Sequence, residues 1–347
     1  VSQETDIIVI GAGPVGLFTV FEAGLLGLKC VLIDNLDKPG GQCAELYPEK
    51  PIYDIPGVAF QTAQEHVDAL LLQIKPFDYD LYLNQRVEVI EEVNHNEDIY
   101  WKVTTNEENS FISKNIFIAA GAGSFEARRP PNIEEPDKFL NHGVNYAVRS
   151  KDKYKDKDIF IFGGGDSALD WSVELAENAK SLSLVHRRDA FRGAPHTEEL
   201  MRELVAKKKI NLLTPYVIED IHGDKKVSKV SLKNFDTKEI ITHNADELIF
   251  LFGLNKKLGP ILDWELELNE KKINVNTENF QTSKDGIFAV GDINDYPGKL
   301  DLILSGFHET TLAVQKAYKR IYPGERVPFG YTTSNTKLQK KLGVLDK

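Results

Sequence analysis

Two copies of one sequence pattern, each a strand, a glycine-rich turn, a helix and a second strand, predict an α/β protein of two Rossmann-like, three-layer dinucleotide-binding domains. Short alternating apolar runs follow each copy, so each domain is expected to carry an antiparallel meander. A further apolar run near the C-terminus predicts that the chain returns to the first domain and makes it discontinuous.

The first copy begins with Ile7-Ile8-Val9-Ile10, turns through Gly11-Ala12-Gly13-Pro14-Val15-Gly16, continues as a helix to about Leu28, and ends in Cys30-Val31-Leu32-Ile33-Asp34. The second opens with Ile159-Phe160-Ile161-Phe162 and turns through Gly163-Gly164-Gly165-Asp166-Ser167-Ala168. It continues as a helix through about Asn178 to the strand Leu182-Ser183-Leu184-Val185. In such a turn the first glycine permits the bend and the second lets the backbone approach a pyrophosphate. The third position must be small so that helix and strand can pack. The helix start then offers unpaired N–H groups to the anion.

Candidate meander strands are Arg86 to Val93, Tyr100 to Thr105 and Ser110 to Ile112 in the first domain. In the second they are Val217 to Ile221, Val227 to Leu232 and Glu239 to Ile241. Breaks at Arg128-Arg129-Pro130-Pro131 and at Gly253-Leu254-Asn255-Lys256-Lys257 divide the chain. The expected division is 1–126 and 255–328 for the first domain, 127–254 for the second, and 329–347 for a C-terminal extension. The buried-type run Gly286-Ile287-Phe288-Ala289-Val290-Gly291-Asp292 falls in the returning part.

Composition narrows the function. A net charge of −11 argues against nucleic acid, whose phosphates require clustered cations. No run reaches the roughly 18 apolar residues of a membrane span, and Ile7 to Ile10 lacks the basic flank of a signal peptide, so a cytoplasmic protein is expected. Cys30 and Cys43 fit neither a metal site nor a Cys-x-x-Cys pair, and the histidines show no ligand spacing, so no metal is expected.

The two turns differ in the residue that ends the second strand. Asp34 can accept hydrogen bonds from a ribose diol, which suits the adenosine of FAD or NAD. The matching stretch of the second copy reads His186-Arg187-Arg188-Asp189-Ala190-Phe191-Arg192. Guanidinium groups there can bind a 2′-phosphate through charge-assisted bonds, so NADPH is expected at Gly163, Gly165, Ser167, Arg187, Arg188 and Arg192. A solvated basic edge is the competing reading of the same arginines.

With the two glycine motifs, the His186-Arg187-Arg188 run and Val290-Gly291-Asp292 in place, the chain resembles the low-molecular-weight thioredoxin reductase group of flavoproteins. Within that group it resembles the thioredoxin-reductase-like ferredoxin–NADP reductases. Thioredoxin reductase has a Cys-x-x-Cys pair 17 residues before the second glycine motif, where this chain has Tyr146-Ala147-Val148-Arg149. Electrons are therefore expected to leave from the flavin rather than through a disulfide.

The resemblance implies FAD bound by Gly11, Gly13, Gly16 and Asp34, with Gly40-Gly41-Gln42 running beside its phosphates and ribityl chain. It implies Tyr47 against one flavin face, Val87 and Phe125 near the adenine and flavin portions, and Asp292 on ribityl hydroxyls. A helix beginning near Ser305-Gly306-Phe307 would direct its positive end at the flavin. The C-terminal extension resembles a lid, with Tyr331 over the other flavin face and Thr333 bonding the ring. Ordinary packing is the alternative for both tyrosines. His308 and Glu309 lie where they could assist protonation, although hydride transfer requires no protein acid.

Hydride exchange between NADPH and FAD, coupled to one-electron transfer with ferredoxin or flavodoxin, is the activity the resemblance implies. A homodimer is implied likewise. From Thr311 to Lys347 eight Lys and Arg oppose Glu325 and Asp346, a net +6 that could receive an acidic iron–sulfur protein or merely solubilise the end. An NADPH-dependent flavin reductase or diaphorase with another acceptor, and a flavin redox sensor without turnover, are the alternatives.

Overall fold

The computed structural model describes residues 2–95, 98–328, 335–341 and 343–344. It contains two compact units, one formed by 1–124 with 256–347 and the other by 125–255. The first crossing lies two residues ahead of the break expected at 126/127, and the return lies one residue beyond 254/255.

In the discontinuous unit a five-stranded sheet is ordered Ile287–Ala289, Ile116–Ile118, Ile7–Ile10, Cys30–Ile33, Tyr79–Tyr82, with every pairing parallel. Four of its strands are apolar at consecutive positions because both faces are covered, while the edge strand Tyr79–Tyr82 is only partly buried. Ile7, Val9, Leu32, Phe117 and Phe288 join the cluster formed with the helices Pro14–Leu25, Ala63–Ile74 and Ile303–Ile321. The alternate residues Ile8, Ile10, Val31, Ile33 and Ile118 pack with Trp101, Val103 and Phe111 on the other face. Those three belong to the antiparallel meander Val87–His95, Asp98–Thr105, Ser110–Ser113, so the period of two along each strand builds three layers. The returning run contributes Ile287–Ala289, paired in register with Ile116–Ile118.

The continuous unit repeats this plan. Its parallel sheet is ordered Val144–Asn145, Glu247–Phe250, Asp158–Phe162, Ser181–Val185, Asn211–Leu213. Phe160, Phe162, Leu248 and Phe250 pack with Ile218, Val230 and Leu232 of the meander Tyr216–Gly223, Val227–Asn234, Ile240–Asn244. The helices Asp166–Leu175 and Pro195–Ala206 complete this unit.

Both turn-following helices are shorter than the sequence suggests, ending at Leu25 and Leu175 rather than near Leu28 and Asn178. In the first, the backbone N–H of Leu26 returns to the carbonyl of Ala23 and that of Gly27 to Gly24, and Gly27 takes a φ of +76°, so the chain leaves the helix there. Among the described residues no helix is long and apolar enough to cross a membrane.

Candidate functional site

The first glycine turn is shaped by close approach. A Cβ on Gly16 would stand 1.8 Å from the Gly11 carbonyl oxygen, and one on Gly11 would stand 2.4 Å from that of Ala119. Gly13 differs: a Cβ there would meet only the Gly41 Cα, at 3.9 Å. The Gly40-Gly41 turn therefore lies against the first motif, glycine to glycine. The helix Pro14–Leu25 starts after Gly13 with no side-chain cap, which leaves its first amides for a ligand.

Asp34 closes this turn from the adjacent strand end. Its Oδ2 accepts from Ala12 N–H at 2.5 Å and its Oδ1 from Leu36 N–H at 2.8 Å. Burial pushes its carboxyl above the ordinary value, and backbone hydrogen bonds from Leu36, Ala12 and Asn35 oppose that shift. The carboxylate thus orders the glycine loop.

The short helix Gly41–Leu46 carries Gln42 and Cys43 and delivers Tyr47 at its end. Cys43 Sγ lies 3.8 Å from the Tyr47 hydroxyl. Burial raises both groups, the thiol to about 11, and the negative charge of Asp292 contributes to each. Asp292 is therefore brought within electrostatic reach of Cys43 and Tyr47 from far along the chain. It also lines a cavity of about 570 Å³ with Ala122, Asn269, Lys271 and Lys272.

Val87 is buried in the hydrophobic cluster that includes Ile33, as a core residue of the meander. Phe125 falls in the strand Ser124–Ala127, but its side chain lies outside the described residues, as do Tyr331 and Thr333 entirely. Glu309 is wholly buried and accepts four hydrogen bonds, from Gly291 N–H, Asn294, Tyr296 and Lys299. These bonds tie it to the Gly291 loop. His308 is exposed, edge-on to Phe280.

The second glycine turn opens onto a cavity of about 800 Å³ contained in the continuous unit. Gly163, at φ +155°, could not carry a Cβ, which would lie 2.6 Å from the Leu251 carbonyl and 2.8 Å from the Ala168 Cβ. Ala168 is thus the small third residue of the motif. A Cβ on Gly165 would meet nothing within 4 Å, and the helix Asp166–Leu175 begins there without a side-chain cap. That vacant approach to unpaired amides is what a pyrophosphate needs.

Arg187, Arg188 and Arg192 line the same cavity, with Ser167 at the helix start. Arg192 is fixed by its N–H to the Gly164 carbonyl, at 2.7 Å, and Asp166 accepts from Ala194 N–H at 2.8 Å. The His186 ring packs on Gly164, where any Cβ would lie 2.5 Å from it. Burial lowers the His186 pKa, and the neighbouring arginines lower it further.

Sequence reading missed the opposite wall, formed by Arg128, Tyr216 and Phe235 among others. No motif marks these residues, and only the meander fold brings them there.

A sequence profile described as pyridine nucleotide-disulphide oxidoreductase matches residues 5–317. The chain belongs to that family. A ferredoxin–NADP reductase of Nitrobacter hamburgensis is 50% identical over 341 residues, covering 98% of each chain. One from Beijerinckia indica is 51% identical over 341 residues, with the same coverage. Among solved structures, a thioredoxin reductase of Lactococcus lactis aligns with a TM-score of 0.74 and 25% identity, over 91% of this chain and 99% of its own. In this pyridine nucleotide-disulphide oxidoreductase the two cysteines are both buried and unbonded. Tyr146 packs on Phe250 and under Arg129, and Val148 is buried, at the positions where the resemblance to thioredoxin reductase places a dithiol.

Proposed function

We propose that this oxidoreductase is a ferredoxin–NADP reductase, holding FAD in the discontinuous unit and NADPH in the continuous one. The observation that carries the reading is the contrast between its two open glycine turns. One is closed by a carboxylate, Asp34, and the other is ringed by Arg187, Arg188 and Arg192. The names of the relatives at about half identity support ferredoxin as the partner. Flavodoxin would suit the same chemistry, and the resemblance supports a cytoplasmic homodimer.

The residues fit both groups. Gly13 and Gly165 leave room at uncapped helix starts, where a larger residue would fill the path of a pyrophosphate. When bound, FAD accepts a hydride from NADPH and passes the electrons on singly. The chain's part is to bind and orient: Asp34 and the first turn would hold the adenosine and phosphates, and Tyr47 would stack against the flavin. Asp292 would bond the ribityl chain, and the start of Ile303–Ile321 would present its positive end to the ring. Arg187 and Arg188 select the 2′-phosphate. Near-attack geometry does the rest, without a protein acid.

Of the basic C-terminal residues, Arg320 is bonded to Asp285 and Asn115, so it ties the helix to the sheet end. Arg326 and the lysines of the stretch supply the remaining positive charge for an acidic partner. NADPH-dependent cytochrome c reduction tests the proposal: the rate should depend on added ferredoxin. An equal rate without ferredoxin would identify a flavin reductase or diaphorase, and no turnover a sensor.

A further inference from the structure

The cavity beside the second glycine turn has an aromatic wall that phosphate binding does not use. Phe235 follows the strand Val227–Asn234 and leaves 51% of its surface exposed, although it lines the cavity. Tyr216 begins the neighbouring strand and lines it too. Backbone bonds fix both beside the arginine cluster. Tyr216 N–H reaches the His186 carbonyl at 3.0 Å, and Phe235 N–H reaches that of Pro215 at 2.7 Å. Lys238 places its ammonium 5.0 Å from the Phe235 ring centroid and donates to the Phe235 carbonyl.

We propose that Phe235, with Tyr216 beside it, is the platform on which the adenine base of NADPH rests. The inference deepens the coenzyme reading above and depends on it. The argument comes from the connectivity of the ligand. Adenine is attached to the ribose that carries the 2′-phosphate, so the base must lie within a few bonds of Arg187 and Arg188. Among the described residues of the cavity, Tyr216 is the aromatic whose strand is hydrogen-bonded to His186, directly before those arginines, and Phe235 adjoins the start of that strand. An exposed phenyl ring is poorly placed in water, and a purine stacked upon it would remove apolar surface from both. Phe252 lines the same cavity beside Gly253, but no backbone bond ties it to His186 or the arginines that follow.

Because Phe235 is exposed and lies outside the buried clusters, Phe235→Ala leaves the core packing intact. Titration of the FAD-loaded protein with 2′,5′-ADP and with nicotinamide mononucleotide, which lacks the adenine, separates the base from the rest of the coenzyme. Phe235→Ala should weaken 2′,5′-ADP on the order of tenfold and leave nicotinamide mononucleotide affinity unaltered, while Phe235→Trp retains 2′,5′-ADP binding. Arg187→Gln with Arg188→Gln is the control. If those changes abolish 2′,5′-ADP binding and Phe235→Ala does not alter it, the platform is wrong and the coenzyme site stands. If 2′,5′-ADP fails to bind the wild type, or binds all variants alike, the coenzyme reading fails and the platform with it.

Discussion

Lys299 Nζ lies 2.5 Å from Glu309 Oε1, and both side chains are removed from solvent, at 4% and 0% exposure. The pair clamps the backbone of one residue, Gly291, from two sides. Lys299 also donates to the Gly291 carbonyl at 2.9 Å, and Glu309 Oε2 accepts from Gly291 N–H at 2.7 Å and Asn294 at 2.8 Å. Tyr296 donates the fourth bond. A buried ion pair recovers its desolvation cost only when its own donors and acceptors are satisfied, and here Gly291, Asn294 and Tyr296 supply bonds to the pair. The clamp sets the backbone that carries Asp292.

Removing one partner should therefore be far worse than removing both. Glu309→Ala would strand the Lys299 ammonium and cost about 3–5 kcal/mol, whereas Lys299→Met with Glu309→Leu should cost much less. Chemical denaturation of wild type, Glu309→Leu, Lys299→Met and the double variant gives the coupling. A double-variant loss equal to the sum of the two single losses would show that the two side chains act independently.

Coenzyme choice follows from the arginines. Replacing Arg187 and Arg188 by Gln should raise the KM for NADPH far more than that for NADH, through loss of charge-assisted bonds of ~1.5–3 kcal/mol each. Steady-state comparison of the two coenzymes measures this. A wild type that uses both equally well would remove the assignment.

His186 gives a pH dependence. Its folded-state pKa is lowered by burial and by Arg187, Arg188 and Arg192, so the folded protein holds fewer protons here than the unfolded chain. The resulting stability is present above the ordinary histidine value of about 6.5 and is lost as pH falls through the folded value. Denaturation of wild type and His186→Gln between acid and neutral pH should therefore show a difference that shrinks as pH drops. A pH-independent difference would mean that the ring titrates alike in both states.

The thiols should be silent. Burial pushes Cys43 to about 11 and Cys30 higher still, so both are protonated at neutral pH and lack the thiolate that reacts. Maleimide labelling should require unfolding, and NADPH-dependent reduction of thioredoxin should be absent. Rapid labelling of folded protein, with loss of activity while FAD stays bound, would contradict this.

What the sequence makes legible here is local. Gly11, Gly16 and Gly163 announce themselves because close backbone approach admits nothing larger, and the inner strands do so because burial on two faces forces apolar runs. The helix Ala63–Ile74 carries an equally local signal, the capping box between Thr62 and Glu65. Long-range partnerships leave no such mark. Glu309 reads as an acid that could assist protonation until the fold brings Lys299 and Gly291 to it, and nothing in the sequence marks Phe235 until the meander brings it to the cavity lined by His186. The basic C-terminal stretch likewise reads as a charged tail, yet Leu338 in the helix Thr336–Lys341 is buried and Lys341 lies over the Phe77 ring.

The glycines yield the sharpest separation of fold from ligand. Gly16 has no room for a methyl group, since its Cβ would stand 1.8 Å from a backbone oxygen that cannot move without shifting the strand below. Gly16→Ala should therefore fail to fold or lose several kcal/mol, on the scale of an overpacked core. Gly13 and Gly165 have φ values of −70° and −105°, which any residue adopts, and a Cβ at either meets no protein atom closer than 3.9 Å. Alanine at these positions should leave apo-protein stability unchanged or raise it by up to about 1 kcal/mol, because the unfolded chain loses freedom. The methyl group would instead occupy the path of a pyrophosphate at an uncapped helix start. Gly13→Ala should thus weaken FAD retention, followed by flavin release on dilution, and spare 2′,5′-ADP affinity. Gly165→Ala should weaken NADPH binding and leave the flavin in place. Loss of both ligands from either variant, or stability falling as steeply as for Gly16→Ala, would mean that these two glycines serve the fold rather than the ligands.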